Sequence, residues 1–535
     1  MADLDLLLLR RRMDRLLAPY DRADMPGMAL GLVRDGALVL HRQAGMASLE
    51  LGVPLGVDSC FRIASVSKQF TCAAILLLAA EGKLDVRDAA RTYLPELAEF
   101  GAPLTIAHLM HNTSGLRDML ELMRLGGMDL SVPCTTEDLL AAIFRQRTLN
   151  FAPGSRYLYS NSNFLLLGVI VERIAGEALP GFLERRIFAP LGMSRTRMTP
   201  STTAVVAGLA TGYLPKDGGW VRAAHGFPLG GEGGLVSSVE DLALWARNCE
   251  TGRVGGMALV EGLETQQAFT NGAPATYARG LQVRDYRGMR AVDHGGLWPG
   301  YKTEFLRVPE LRLAVICIAN NGAADPYHTA HDLLDAAIEG RPGVHAVPAL
   351  PPRAELDRLA GRWLDRERGT TLEISVSADG VPGGTANGVP FRLKMGDDGR
   401  LAASRSAADF CCALSQDGSR LEVEFDARAT ASFERPAPGA VLPEGLAGAY
   451  ENAELAAIWT FAAGAAGMEV RVAGPLLADR AWEVEPIEGD CIRVLQPGSL
   501  FRSWSDVRVL REGGRVSGLQ VTGGRARELM FLRLA

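Results

Sequence analysis

A stretch rich in proline and glycine, from Gly340-Arg341-Pro342-Gly343 to Pro351-Pro352, cuts this chain into two parts of different texture. Before it, apolar residues recur largely at helical intervals. After it, short alternating runs between glycine turns take over. One hydrophobic core does not serve 535 residues, so the break predicts separate domains. Beyond it, Leu359-Ala360-Gly361-Arg362-Trp363 returns 87 residues later as Leu446-Ala447-Gly448-Ala449-Tyr450, with the proline-rich stretch Pro436 to Pro443 in between. Alternating strands repeated at this length predict two all-β domains of similar size, each closing as a small antiparallel barrel. The expected layout is a first domain over 1–340, a linker over 341–352, barrels over 353–435 and 444–535, and a linker over 436–443.

Within the first domain, Met28 to Arg34 and Ala37 to His41 alternate around Asp35-Gly36, which signals a hairpin. Lys302 to Val308 and Leu311 to Ala319 read as strands, and Tyr327 to Glu339 as a helix. Helical spacing also covers Ser65 to Glu81, Thr136 to Phe144 and Asn163 to Ala175. The pattern describes an α/β domain: an antiparallel sheet flanked by terminal helices, with a mainly helical insertion.

The net charge of −6 with no basic patch argues against a nucleic-acid partner. No apolar run approaches the roughly 18 residues of a membrane span. The N-terminus carries four leucines before Arg10-Arg11-Arg12, the wrong order for a signal peptide, so a cytoplasmic location is expected. Eight cysteines without a Cys-x-x-Cys fit reduced thiols, and Cys411-Cys412 reads as half-buried strand. His328-x-x-His331 has metal-site spacing, but no nearby cysteine or carboxylate ligand accompanies it, and a helix face is the simpler reading. Neither metal nor cofactor is expected.

The chemistry is concentrated in three places. The chain has five lysines against 51 arginines, and one of the five, Lys68, lies three residues after Ser65 at the start of an apolar helix. Guanidinium does not give up its proton at working pH, whereas a desolvated ammonium does, so a base at this position has to be lysine. Residues at i and i+3 lie about 5 to 6 Å apart on one helix face, which brings the amine to the Ser65 hydroxyl. Tyr159-Ser160-Asn161 follows the turn Ala152-Pro153-Gly154 and precedes the apolar run Phe164 to Val171. A tyrosine beside an ammonium can relay protons, and an asparagine amide can hold a carbonyl. His294-Gly295-Gly296 precedes Leu297 and a strand. Its glycines allow a substrate close to the backbone, and an N–H near Gly296 or Leu297 could join that of Ser65 in an oxyanion hole. Whether Lys68 or Tyr159 is the general base is open at this point.

The ordered set Ser65-x-x-Lys68, Tyr159-x-Asn161 and His294-x-Gly296 resembles the penicillin-recognising serine hydrolases, which include class C β-lactamases, D,D-carboxypeptidases, esterases and D-aminopeptidases. The strings Ala64 to Ala73, Ser114-Gly115-Leu116-Arg117-Asp118 and His294-Gly295-Gly296 look most like the three-domain D-aminopeptidases, and the likeness runs over essentially the whole chain. The resemblance implies a β-lactamase/transpeptidase-like domain, an acyl-enzyme and release of N-terminal D-residues from small peptides, amides or esters, with Ser65, Lys68, Tyr159 and His294 catalytic. It implies Asn161, Gly295, Gly296 and Leu297 at the substrate, a homodimer, and a loop of the last barrel reaching into the active site. That loop is expected at Cys491 to Trp504, which holds Arg493 and Arg502 where an acid would meet a substrate amine. Asp490 or Asp506 could replace that acid. The rival readings are an esterase or D-amino-acid amidase of the same chemistry, less readily a β-lactamase or D,D-carboxypeptidase, and an inactive ligand-recognition protein.

Overall fold

The computed structural model describes residues 4–129, 132–199, 201–396, 398–404, 410–425, 428–464, 467–475, 481–496 and 503–535. The first domain is built on a six-stranded antiparallel sheet. Its spatial order is Gln282–Tyr286, Met289–Trp298, Tyr301–Val308, Leu313–Ala319, Met28–Arg34 and Ala37–Ala44. The chain ends meet in its middle, where Met28–Arg34 pairs with Leu313–Ala319 in the register Leu32↔Val315. The expected hairpin is present, with Asp35 and Gly36 both at positive φ, as its two-residue turn demands.

Both faces of these central strands are covered, and the period of two divides their side chains between two cores. Leu30, Leu32, Val315 and Cys317 face the terminal helices Leu6–Leu17 and Pro326–Ile338. Ala29, Val33, Ile316 and Ile318 face the larger helical side, which includes Lys68–Ala80, Asn161–Ala175 and Val239–Thr251. His328 and His331 lie on the second terminal helix, and His331 is buried against Tyr327 and Tyr286.

Two closed eight-stranded antiparallel barrels follow, one from Gly361 to Glu434 and one from Gly448 to Arg533. The sequence repeat opens each of them in the same way. Trp363 Nε1 donates to the Leu359 carbonyl at 2.8 Å, and the Tyr450 hydroxyl donates to the Leu446 carbonyl at 2.7 Å. Arg435 lies over the Trp363 ring and Arg533 over the Tyr450 ring. The repeated glycine is favoured because both positions hold positive φ, 120° at Gly361 and 140° at Gly448. Leu122 and Leu125, from the first-domain helix Met119–Leu125, belong to the core of the second barrel, where Trp459 Nε1 donates to the Leu125 carbonyl at 3.0 Å. Among the described residues no helix is long and apolar enough to cross a membrane.

Candidate active site

Ser65 lies in a 3-10 turn, Ala64–Ser67, that runs into the α-helix Lys68–Ala80. The predicted helix from Ser65 therefore begins with a tighter turn, in which residues i and i+3 eclipse, and this favours a serine–lysine contact. Ala64 holds a positive φ of 49° immediately before the serine, a conformation that costs a non-glycine residue about 1–2 kcal/mol. Packing maintains it. The strand carrying Gly296 passes so close that a Cβ there would overlap the Ile63 carbonyl oxygen.

Lys68 is fully buried. Its Nζ donates to Glu232 O at 2.6 Å, Asn161 Oδ1 at 2.9 Å and Ser65 Oγ at 3.2 Å. The rings of Tyr159 and Phe164 lie 4.8 and 5.1 Å from the same nitrogen. Burial pushes the lysine down from 10.5 to about 7, against the opposing pull of Glu232 and Asp118. Burial also pushes the Tyr159 phenol well above its ordinary value, and a hydrogen bond with Ser65 acts against that rise. The amine is thus far nearer to titrating at neutral pH than the phenol.

Asn161 opens the helix Asn161–Ala175 behind the Ser160 N-cap. Its backbone N–H donates to Asp118 Oδ2 at 2.7 Å, while Asp118 Oδ1 caps the Met119–Leu125 helix through the N–H groups of Leu120 and Glu121. The structure makes Asp118 the hinge between two helix starts.

His294, Gly295 and Leu297 line the same cavity of about 340 Å³ as Ser65, Tyr159 and Asn161. The glycine pair lies inside the strand Met289–Trp298, with Gly295 opposite Glu304, while Pro299-Gly300 makes the turn. His294 Nδ1 lies 2.6 Å from the Gly295 carbonyl oxygen, which can only accept, so this nitrogen carries the proton. Nε2 lies 3.1 Å from the Tyr277 hydroxyl, so both ring nitrogens are engaged within the protein. Tyr277 had no signal in the sequence, since it is a single aromatic within Ala275-Thr276-Tyr277-Ala278.

Of the expected stretch Cys491 to Trp504, residues 497–502 lie outside the described residues and Ser503 lines the cavity. Arg493 does not line the cavity. It is buried between the barrels, bound to Glu373 Oε1 at 2.6 Å and Thr371 Oγ1 at 2.6 Å, near Asp506 and stacked on Trp504. Cys491–Gln496 and Ser503–Glu512 are paired strands. Arg502 lies outside the described residues. Asp506 is committed to Thr371 and Asn387, and Asp490 to Arg511, so neither faces the cavity.

The turn before the last strand, 523–528, also enters the site. Arg525 Nη1 pairs with Asp118 Oδ2 at 3.2 Å and lines the cavity with a quarter of its side chain exposed. The turn is fastened along its length. Gly524 N–H donates to Glu121, Arg117 donates to the Arg527 carbonyl, and Asp118 N–H donates to the Arg525 carbonyl. Asn387 and Val389 of the first barrel also line the cavity, so all three domains build it.

The class that this fold and site define is that of the β-lactamase-like serine hydrolases. The Beta-lactamase family model matches residues 9–339, and the chain belongs to that family. Over 518 residues it is 31% identical to a D-aminopeptidase of Cereibacter sphaeroides, covering 95% of this chain and 96% of the relative. A D-aminopeptidase of Brucella anthropi is 33% identical over 362 residues, 66% of each chain. Among solved structures, the D-amino acid amidase of Ochrobactrum anthropi SV3 complexed with L-phenylalanine amide matches at 26% identity and a TM-score of 0.54, covering 62% of this chain and 99% of that one. An octameric penicillin-binding protein homologue from Pyrococcus abyssi shares the fold at 22% identity and a TM-score of 0.57, covering 81% and 100%.

Proposed function

We propose that this protein is a D-stereospecific aminopeptidase that works through an acyl-serine. The observation that carries the mechanism is the buried Lys68 amine, which has three acceptors around it and Ser65 as the most distant of them. An ammonium fills all three bonds. A neutral amine keeps those to Asn161 and Glu232 and turns its lone pair to the Ser65 O–H, which is the arrangement of a general base. Ser65 Oγ bonds to the substrate carbonyl carbon, its proton passes to Lys68, and the carbonyl π pair moves onto the oxygen. As the C–N bond breaks, Tyr159 gives its proton to the leaving amine and takes one from Lys68. Water then reverses these steps on the ester and regenerates Ser65. The D-aminopeptidase relatives, matched over the full length, supply the substrate class.

A panel of D- and L-amino-acid p-nitroanilides, amides and esters tests the reading. Turnover of D-alanine p-nitroanilide with little of the L-form is expected, and exclusive ester hydrolysis without stereopreference would replace the reading with an esterase. The cytoplasmic location and the homodimer belong to the same proposal, and sedimentation velocity of the purified protein tests the dimer.

A further inference from the structure

Glu232 occupies a position that the mechanism has so far used only through its backbone. It sits within Gly230-Gly231-Glu232-Gly233-Gly234, a turn pinned to the nucleophile helix at three points. Thr71 Oγ1 donates to the Gly231 carbonyl at 2.7 Å, Lys68 Nζ to the Glu232 carbonyl, and Leu235 N–H to Ser67 Oγ at 3.1 Å. These bonds hold the Glu232 backbone against Lys68, and its carboxylate acts on the amine through space without forming an ion pair with it. Only 3% of the residue is exposed. One carboxylate oxygen accepts the Gly230 N–H at 2.9 Å, while the other, Oε2, is buried and has no hydrogen-bond partner among the described residues. A buried carboxylate oxygen left unpaired is costly, and it persists where a charge nearby offsets the cost. Of the other carboxylates lining the cavity, Glu121, Asp129 and Asp293, the first forms an ion pair with Arg124 and the last with Arg284.

We propose that Glu232 is the counter-charge of Lys68: as an anion it stabilises the ammonium formed when Lys68 takes the Ser65 proton, and so sets the strength of the base without touching the substrate. This rests on the reading of Lys68 as the base. The electrostatics agree, since the glutamate raises the lysine against its burial, and the lysine lowers the glutamate against its own burial. The other titratable or charged groups facing the pair are Asp118, Arg525, Tyr159 and Cys72, from the other elements packed around it. Of these, Tyr159 is itself raised by the Glu232 charge and moves with any change there. The carboxylate is a positioning residue for the proton step, and it makes the serine–lysine pair a charge-balanced triad.

The test follows two readouts against pH in wild-type, E232Q, E232A and E232D protein: kcat/KM for D-alanine p-nitroanilide, and the rate of Ser65 labelling by a fluorophosphonate probe. Every variant keeps the backbone carbonyl that holds Lys68, and E232A removes the buried polar end should E232Q fold poorly. Loss of the anion should move the acid limb of both profiles down by about one pH unit and lower the plateau about tenfold or more, because a weaker base titrates earlier and removes the proton more slowly. E232D should keep the acid limb near that of wild type. An acid limb unmoved in both E232Q and E232A would overturn the proposal. So would a rise in KM confined to substrates with a free amino group, since Glu232 would then be the amine anchor. If wild-type protein labels but turns over no D-substrate, the D-aminopeptidase reading fails, and the labelling profile still decides the role of Glu232.

Discussion

At the scale of single residues, Lys68 carries the most specific expectations. Lys68→Arg should be nearly as damaging as Lys68→Ala, a loss of about three orders of magnitude or more in kcat, because a guanidinium stays protonated at any working pH. Ser65→Ala should abolish labelling while far-UV circular dichroism remains that of wild type. Since the amine must be free to act and burial brings it to about 7, activity should rise with pH through that region, and an acid limb near the ordinary lysine value would contradict the burial seen here. His294 gives a second prediction. Its Nδ1–H is spent on the Gly295 carbonyl and its Nε2 faces the Tyr277 hydroxyl, so both ring nitrogens are engaged within the protein rather than with a substrate carboxylate. Benzylpenicillin should be hydrolysed poorly, and efficient turnover measured at its β-lactam absorbance would overturn the assignment.

At the scale of elements, the turn 523–528 links the last barrel to the catalytic amine. Arg525 pairs with Asp118, and its charge holds both Lys68 and Tyr159 down. Arg525→Ala should therefore move the acid limb of kcat/KM upward by up to about one pH unit, opposite in sign to the change expected on removing the Glu232 charge. An unmoved limb would reduce the turn to a purely mechanical contact. How legible these elements were follows from what each depends on. The Asp35-Gly36 hairpin, the Thr136–Phe144 helix and the paired barrel openings rest on local turn chemistry and periodicity, which a sequence displays directly. Ser65, Lys68, Tyr159 and Asn161 could be picked out because their spacing encodes their geometry. The glycine pair after His294 was harder, because it serves close approach of the strand to Ile63 rather than a turn. Arg525 and Asp118 are separated by about four hundred positions of chain, and no local pattern announces such a pair. Arg493 shows the reverse case, in which a charge expected at the substrate is consumed by Glu373 and Thr371 where the barrels meet. Glu232 was readable in principle, as the one charged residue in a run of glycines against the nucleophile helix.

At the scale of the whole molecule, the second barrel is part of the catalytic domain's own structure. Leu122 and Leu125 are buried in the barrel core rather than in the core of the domain that encodes them, and the helix they lie on is capped by the same Asp118 that receives Asn161 and Arg525. Truncation at about Pro443 would expose both leucines and leave Asp118 without its arginine. Each buried leucine contributes about 2–5 kcal/mol when measured as its replacement by alanine, so the truncated protein should unfold at a clearly lower temperature than the full chain. Loss of Arg525 should also cost labelling of Ser65 at neutral pH, because Lys68 would hold its proton to higher pH. The two losses can be separated. Leu125→Ala in the full chain should lower the melting temperature with the pH profile kept, whereas Arg525→Ala should shift the profile with a smaller change in melting temperature. Calorimetry and probe labelling of the three proteins read this out directly. A truncated protein that melts like the full chain and labels at the wild-type rate would mean that the barrel is an accessory to a self-sufficient hydrolase, and that the ion pair and the two leucines do not couple it to the reaction.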